Sequence, residues 1–230
     1  MIAMTVAGVH EDGKVEEAAE AIEAVSHRLA QHAGPGRAPR MFPDIRRPPQ
    51  DFFPTSPISG MINPIAPPVL VTVVDGVEGG PREILAQVNF DYPYEGPPTC
   101  VHGGVIAATF DEIMGAANMV AGHPAMTGTL TIRYRKPTPL CTDLRIEARC
   151  LGHEGRKVRT WAGMYDGDLL TAEAEGVFIE ADPARFLAMA EENADRSDPT
   201  TVEIMRAEAA RAGAASDVPG SLDLGAGPPD

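Results

Sequence analysis

The sequence is short of cysteine pairs, of long apolar runs and of positive charge, and each shortage removes a class of function. Cys100, Cys141 and Cys150 fall neither in pairs nor at CxxC spacing. Disulfide frameworks and cysteine metal sites are therefore not expected, and the three residues read as free thiols. No stretch approaches the roughly 18 apolar residues of a membrane span, and no charged-then-apolar leader opens the chain. The expectation is a cytoplasmic protein with no membrane span. Lysine and arginine number 19 against 33 acidic residues, a net charge of −14. A phosphate duplex would meet an acidic surface, so nucleic acid is not an expected partner.

What is present suffices for a core: 230 residues, 43% of them hydrophobic, suggest one domain with extensions or two small domains. The acidic average hides a reversal. Between Arg133 and Arg159 eight basic residues face three acidic ones, a local net of +5. Such a cluster fits either a small anionic ligand or a solvated sheet face.

The organising stretch runs from Val101. Ile106, Phe110, Ile113, Ala117 and Val120 recur at steps of four and three, the spacing of one helix face. Ala107, Ala108, Gly115 and Ala116 keep the other faces small, which predicts a long central helix closely wrapped by a curved sheet. His102-Gly103-Gly104 opens it, where backbone N–H groups lack intrahelical partners. Asp111 sits inside the apolar run, a costly place for an idle carboxylate.

Before this helix, Lys14 to His32 has one amphipathic helical pattern, and Gly34 to Gln50 reads as a Pro- and Arg-rich linker. Asp51 to Pro68 scatters Phe52, Phe53, Ile58, Met61 and Ile65 among five prolines, predicting an extended segment pinned on the core. Val69 to Val74 and Ile84 to Phe90 read as a hairpin, and Tyr92 to Thr99 as a loop. After Gly122 the period becomes two. Leu130, Ile132 and Tyr134 share one face of a strand, with Thr129, Thr131, Arg133 and Arg135 on the other. Three more strands follow, ending at Ile179. The segments 1–50, 51–182 and 183–230 thus read as helix plus linker, an α+β domain of about six antiparallel strands, and an acidic helical and disordered tail.

Several segments together resemble the hotdog-fold acyl-CoA thioesterases, in the branch holding phenylacetate-pathway and mitochondrial long-chain acyl-CoA enzymes. They are His102-Gly103-Gly104 with Asp111 nine residues after the histidine, Ala125-Met126-Thr127-Gly128, Tyr134-Arg135-Lys136-Pro137-Thr138-Pro139-Leu140 and Glu154-Gly155-Arg156-Lys157. The likeness runs from about Pro98 to Ile179. It implies a hotdog fold, a homodimer or tetramer, and hydrolysis of an acyl-CoA thioester, with coenzyme A as part of the substrate and no further cofactor or metal.

Carried onto this chain, the resemblance implies that the Gly103 N–H forms an oxyanion hole and that Asp111 of the partner chain acts as base or nucleophile. His102 would orient the carbonyl or cap the helix, and Thr127 would position water. Arg133, Arg135, Arg156 and Lys157 would meet the nucleotide end of coenzyme A, which gives the basic reversal a purpose. Glu112 is the substitute acid should the helix register shift. Rival readings are a non-catalytic acyl-CoA sensor or carrier, a hotdog hydratase or dehydratase, and a structural module. Asn89 and Asn118 could line a site, but satisfied amides explain them equally.

Overall fold

The computed structural model describes residues 13–31, 56–61, 63–67, 69–76, 79–180, 188, 191, 192 and 206. The linker read over Gly34 to Gln50, the aromatics Phe52 and Phe53 and most of the tail lie outside the described residues. The chain divides into two compact units, 1–181 and 182–230. In the second, Ala188, Glu191, Glu192 and Arg206 are helical, and Arg206 pairs with Glu191 at 2.8 Å.

In the first unit, helix α1 (Lys14–Ala30) has Glu16 and Glu17 in its first turn and His27 and Arg28 in its last. Both charge placements suit the helix dipole. Strands β1 (Leu70–Val74) and β2 (Glu83–Asn89) precede helix α2 (Gly103–Val120). Strands β3 (Ala125–Tyr134), β4 (Asp143–Glu154), β5 (Lys157–Asp166) and β6 (Leu169–Glu180) follow it. They form one antiparallel sheet in the order β1-β2-β4-β5-β6-β3. β3 follows α2 in sequence but pairs only with β6, so it forms an edge.

Period-two alternation sends Ile84, Ala86, Val88, Leu144, Ile146, Ala148, Val158, Ala162, Met164, Ala172, Ala174 and Phe178 to the face that α2 covers, and all are buried. From the helix come Ile106, Phe110, Ile113, Ala117 and Val120. Each large apolar side chain buried this way contributes about 1.5–3 kcal/mol. Gly176 lets sheet and helix close up, since a Cβ there would lie 2.9 Å from the Met114 methyl group.

Two details depart from the sequence reading. Residues 56–61 and 63–66 run through turns, with Gly60 N–H bonded to the Ser56 carbonyl and Asn63 N–H to the Gly60 carbonyl. They are not extended: the prolines rule out long elements but are compatible with consecutive turns. The second is a bulge in β3. Thr127 pairs with Phe178 and Thr129 with Val177, leaving Gly128 as the extra residue. Strict alternation from Leu130, Ile132 and Tyr134 would turn Thr127 outward, and one inserted residue turns it in toward α2. No described helix is long and apolar enough to cross a membrane.

Candidate functional site

The start of α2 is built by its approach loop. Asp91 caps a short 3-10 turn (Tyr92–Tyr94) by accepting the Tyr92 N–H at 2.8 Å. The Tyr94 carbonyl takes the His102 N–H at 2.8 Å, and the Thr138 carbonyl takes the Val101 N–H at 2.9 Å. Burial, and secondarily the Asp91 charge, push the Tyr94 phenol above its ordinary pKa. His102 is the N-cap, its Nδ1 accepting the Gly104 N–H at 2.9 Å. A Cβ on Gly104 would sit 3.0 Å from that nitrogen, so glycine permits the closure. With Nδ1 accepting, the proton of the neutral ring is on Nε2, which then serves as a donor.

The Gly103 N–H, at the first helical position, has no acceptor among the described residues. Its carbonyl accepts from the Tyr134 hydroxyl at 2.8 Å, and the tyrosine ring lies 3.4 Å from where a Gly103 Cβ would stand. β3 therefore braces the first turn while leaving its amide donor available.

At the other end of the same strand, Thr127 Oγ donates to Asp111 Oδ1 at 2.6 Å. Asp111 is exposed, and one hydroxyl leaves most of its lone pairs open. The neighbouring acid is placed differently. Glu112 accepts from Ser56 Oγ at 2.7 Å, from the Ser59 N–H at 3.2 Å and from the Ser59 hydroxyl. At about 100° per residue, Asp111, Gly104, Gly115 and Ala108 share one arc of α2, with Glu112 on its far rim. None of these four is buried. The arc is a trough of small, unburied residues between Thr127 of β3, which bonds Asp111, and Ser56 and Ser59, which bond Glu112.

The basic candidates separate into two groups. Arg133 and Arg135 lie on the sheet face away from α2. Arg133 pairs with Glu175 at 3.0 Å and Glu173 at 3.6 Å, and Arg135 with Glu173. The Arg135 hydrogen bond, helped by its charge, by a donor on Trp161 and by the Arg133 charge, holds the Glu173 carboxyl below its ordinary pKa. Arg149 stacks on Trp161 and Arg145 on Tyr165 across the same face. Arg156, on the β4–β5 turn, donates to the Glu180 carbonyl at 3.2 Å, and Lys157 is exposed beside it.

Asn89 donates to the exposed Asp143 at 2.8 Å where the ends of β2 and β4 pair. Asn118 is fully buried, its oxygen accepting from Thr160 at 2.5 Å and its Nδ2 without a partner among the described residues. Among the described residues no group of three His, Cys, Asp or Glu side chains gathers as a metal site. Cys100, Cys141 and Cys150 are free, and burial and the Asp91 charge raise the Cys141 pKa, away from a reactive thiolate. Tyr134, Ser56 and Ser59 were not singled out as polar partners from sequence. Alternation and the resembling segment Tyr134 to Leu140 marked Tyr134 without giving it a role, and the serines lie among prolines and apolar residues.

Residues 99–170 match the family model of the thioesterase superfamily. The chain is 38% identical over 94 residues to acyl-coenzyme A thioesterase THEM4 of Xenopus laevis, covering 40% of this chain and 42% of that protein. With THEM4 of Bos taurus the identity is 34% over 96 residues, covering 40% and 39%. The match thus spans about two fifths of these curated relatives. A solved thioesterase superfamily protein aligns at a TM-score of 0.68 and 28% identity, over 78% of this chain and 85% of that one. The helix wrapped by a six-stranded sheet is the hotdog fold of that structure.

Proposed function

We propose, from a chain whose residues 99–170 carry a thioesterase-superfamily core in a hotdog fold, that this protein hydrolyses an acyl-CoA thioester to the free acid and coenzyme A. The observation that carries the reading is the pairing of an exposed Asp111 with Thr127, on a helix whose first amide donor, Gly103 N–H, has no acceptor among the described residues.

Gly103 and Asp111 are eight residues apart, roughly 12 Å along one helix, so they cannot serve one carbonyl. A two-fold dimer with antiparallel α2 helices joins the Gly103 end of one protomer to Asp111 of its partner. The edge of β3 and the small residues of the trough supply a surface for that pairing. The Gly103 N–H stabilises the negative charge developing on the thioester oxygen, aided by the helix dipole. His102 Nε2–H is a second donor at the same mouth. Asp111 removes a proton from water as the water attacks, and that proton leaves with the coenzyme A thiolate. In the covalent variant Asp111 attacks directly and water then opens the mixed anhydride. Thr127 fixes the carboxylate in either route. Label found in Asp111 after a single turnover in heavy-oxygen water identifies the covalent route with water attacking the aspartyl carbonyl.

Arg156 and Lys157 meet the coenzyme A phosphates. Arg133 and Arg135 belong to the same nucleotide end but arrive already paired with Glu173 and Glu175, so their contribution is smaller. The enzyme is assigned to the cytoplasm, consistent with three free thiols. Thiol release from short, medium, long and aromatic acyl-CoA esters, with wild type and Asp111→Asn compared, tests the reading. Hydrolysis lost in the variant with binding retained supports it. Equal rates overturn it in favour of a non-catalytic acyl-CoA-binding role.

A further inference from the structure

Ser56 and Ser59 are 7% and 5% exposed, and both give their hydroxyls to Glu112, which also takes the Ser59 N–H. Ser56 Oγ in turn accepts the Ile58 N–H at 3.0 Å, closing a turn around the carboxylate. The segment is tied a second time where the Tyr94 hydroxyl donates to the Ile65 carbonyl at 3.0 Å, beside the start of α2. Between these ties Ile58 packs on the core, whereas Met61 and Ile65 stay 60% and 59% exposed. The segment is thus a strap, held at its start by Glu112 in the middle of α2 and at Ile65 by the loop that leads into α2, and it keeps the apolar side chains of Met61 and Ile65 exposed.

A carboxylate taken out of water must recover its hydration as hydrogen bonds, and three donors from one short turn do so. Nothing in the packing of α2 on the sheet requires an acid at position 112. Its partners among the described residues all belong to the strap. The chemistry proposed for Asp111 does not use it either.

We propose that Glu112 is a positioning residue that sets which acyl groups are accepted. By clasping residues 56–59 it fixes the strap as one wall of the trough, against which a long acyl chain packs and which a short one does not reach. This inference rests on the thioesterase reading above. The clasp acts through apolar contact with the acyl tail, so its loss falls on KM for long substrates and not on the bond-breaking step.

The experiment compares kcat and KM for acetyl, octanoyl and palmitoyl coenzyme A in wild type, Glu112→Ala, Glu112→Gln and the double variant Ser56→Ala with Ser59→Ala. KM for the palmitoyl ester is expected to rise about tenfold in Glu112→Ala and in the serine variant, with the acetyl values changed less than about twofold. Glu112→Gln, which keeps an acceptor oxygen, is expected to recover most of the loss. Melting curves check folding, and the serine variant leaves α2 intact should Glu112→Ala fold poorly. Equal changes for short and long esters, or none, overturn the inference while leaving Asp111 in place. Absence of hydrolysis by the wild type overturns the thioesterase reading itself, and the selection role with it.

Discussion

Two adjacent carboxylates lie on opposite flanks of α2 and are treated in opposite ways. Glu112, on the strap flank, is met by three donors, and its hydrogen-bonding capacity is largely spent on holding chain. Asp111, on the β3 flank, is met by one threonine hydroxyl and otherwise opens to the trough. Chemical type does not distinguish them. What makes one acid structural and the other available for reaction is the number of fixed donors around it, since each lone pair held by a fixed donor is closed to water and substrate.

The largest effect that would break this contrast is kinetic. Asp111→Asn is expected to lower kcat about a thousandfold, and Glu112→Gln to leave kcat for the acetyl ester within about twofold. Thiol-release assays on both variants check the pair, and equal losses would erase the distinction. Both flanks rest on one core. Phe110→Ala, at a fully buried position, should cost about 3–4 kcal/mol in urea unfolding and weaken the two sides together. Sharpening the β3 flank alone, Thr127→Ala should reduce kcat about tenfold, and Thr127→Ser should restore it, since only the hydroxyl is used. Tyr134→Phe removes the bond to the Gly103 carbonyl and should lower kcat/KM about fivefold.

The smallest effect lies on the outer sheet face. Glu173 titrates below its ordinary 4.5 because Arg135 and its neighbours favour the carboxylate. Its contribution to stability is present above 4.5 and is lost as pH falls through the lowered folded value. Thermal melts on acidification should show this loss, and Glu173→Gln should remove that part of the acid dependence.

Much of the architecture could be read from periodicity. The apolar positions of α2 and the alternation of Ile84–Val88, Leu144–Ala148 and Ala172–Phe178 each repeat one physical constraint many times, so the pattern survives local noise. The basic stretch was legible as composition but not as geometry. Counting Arg133 and Arg135 with their sequence neighbours gave a positive patch, whereas β6 brings Glu173 and Glu175 to them from 40 residues on, at Arg133↔Glu173 in the register. Asp111 stood out because an acid in an apolar run is rare. Glu112 looked like its rival because the partners that occupy it are 53 and 56 residues away. Long-range pairings of single side chains leave no periodic trace.

The bulge at Gly128 gives the site an unusual point of failure. A strand reads like a code with two letters, in and out, and one supernumerary residue acts as a frameshift that is corrected nowhere upstream of it. Regularising the ladder so that Gly128 pairs with Phe178 would change no reacting group and remove no side chain. It would nonetheless exchange the faces of Thr127 and Met126, taking the hydroxyl away from Asp111 and sending it into solvent. For this molecule the parity of a count in β3 is as much a part of the proposed chemistry as any atom that touches the substrate.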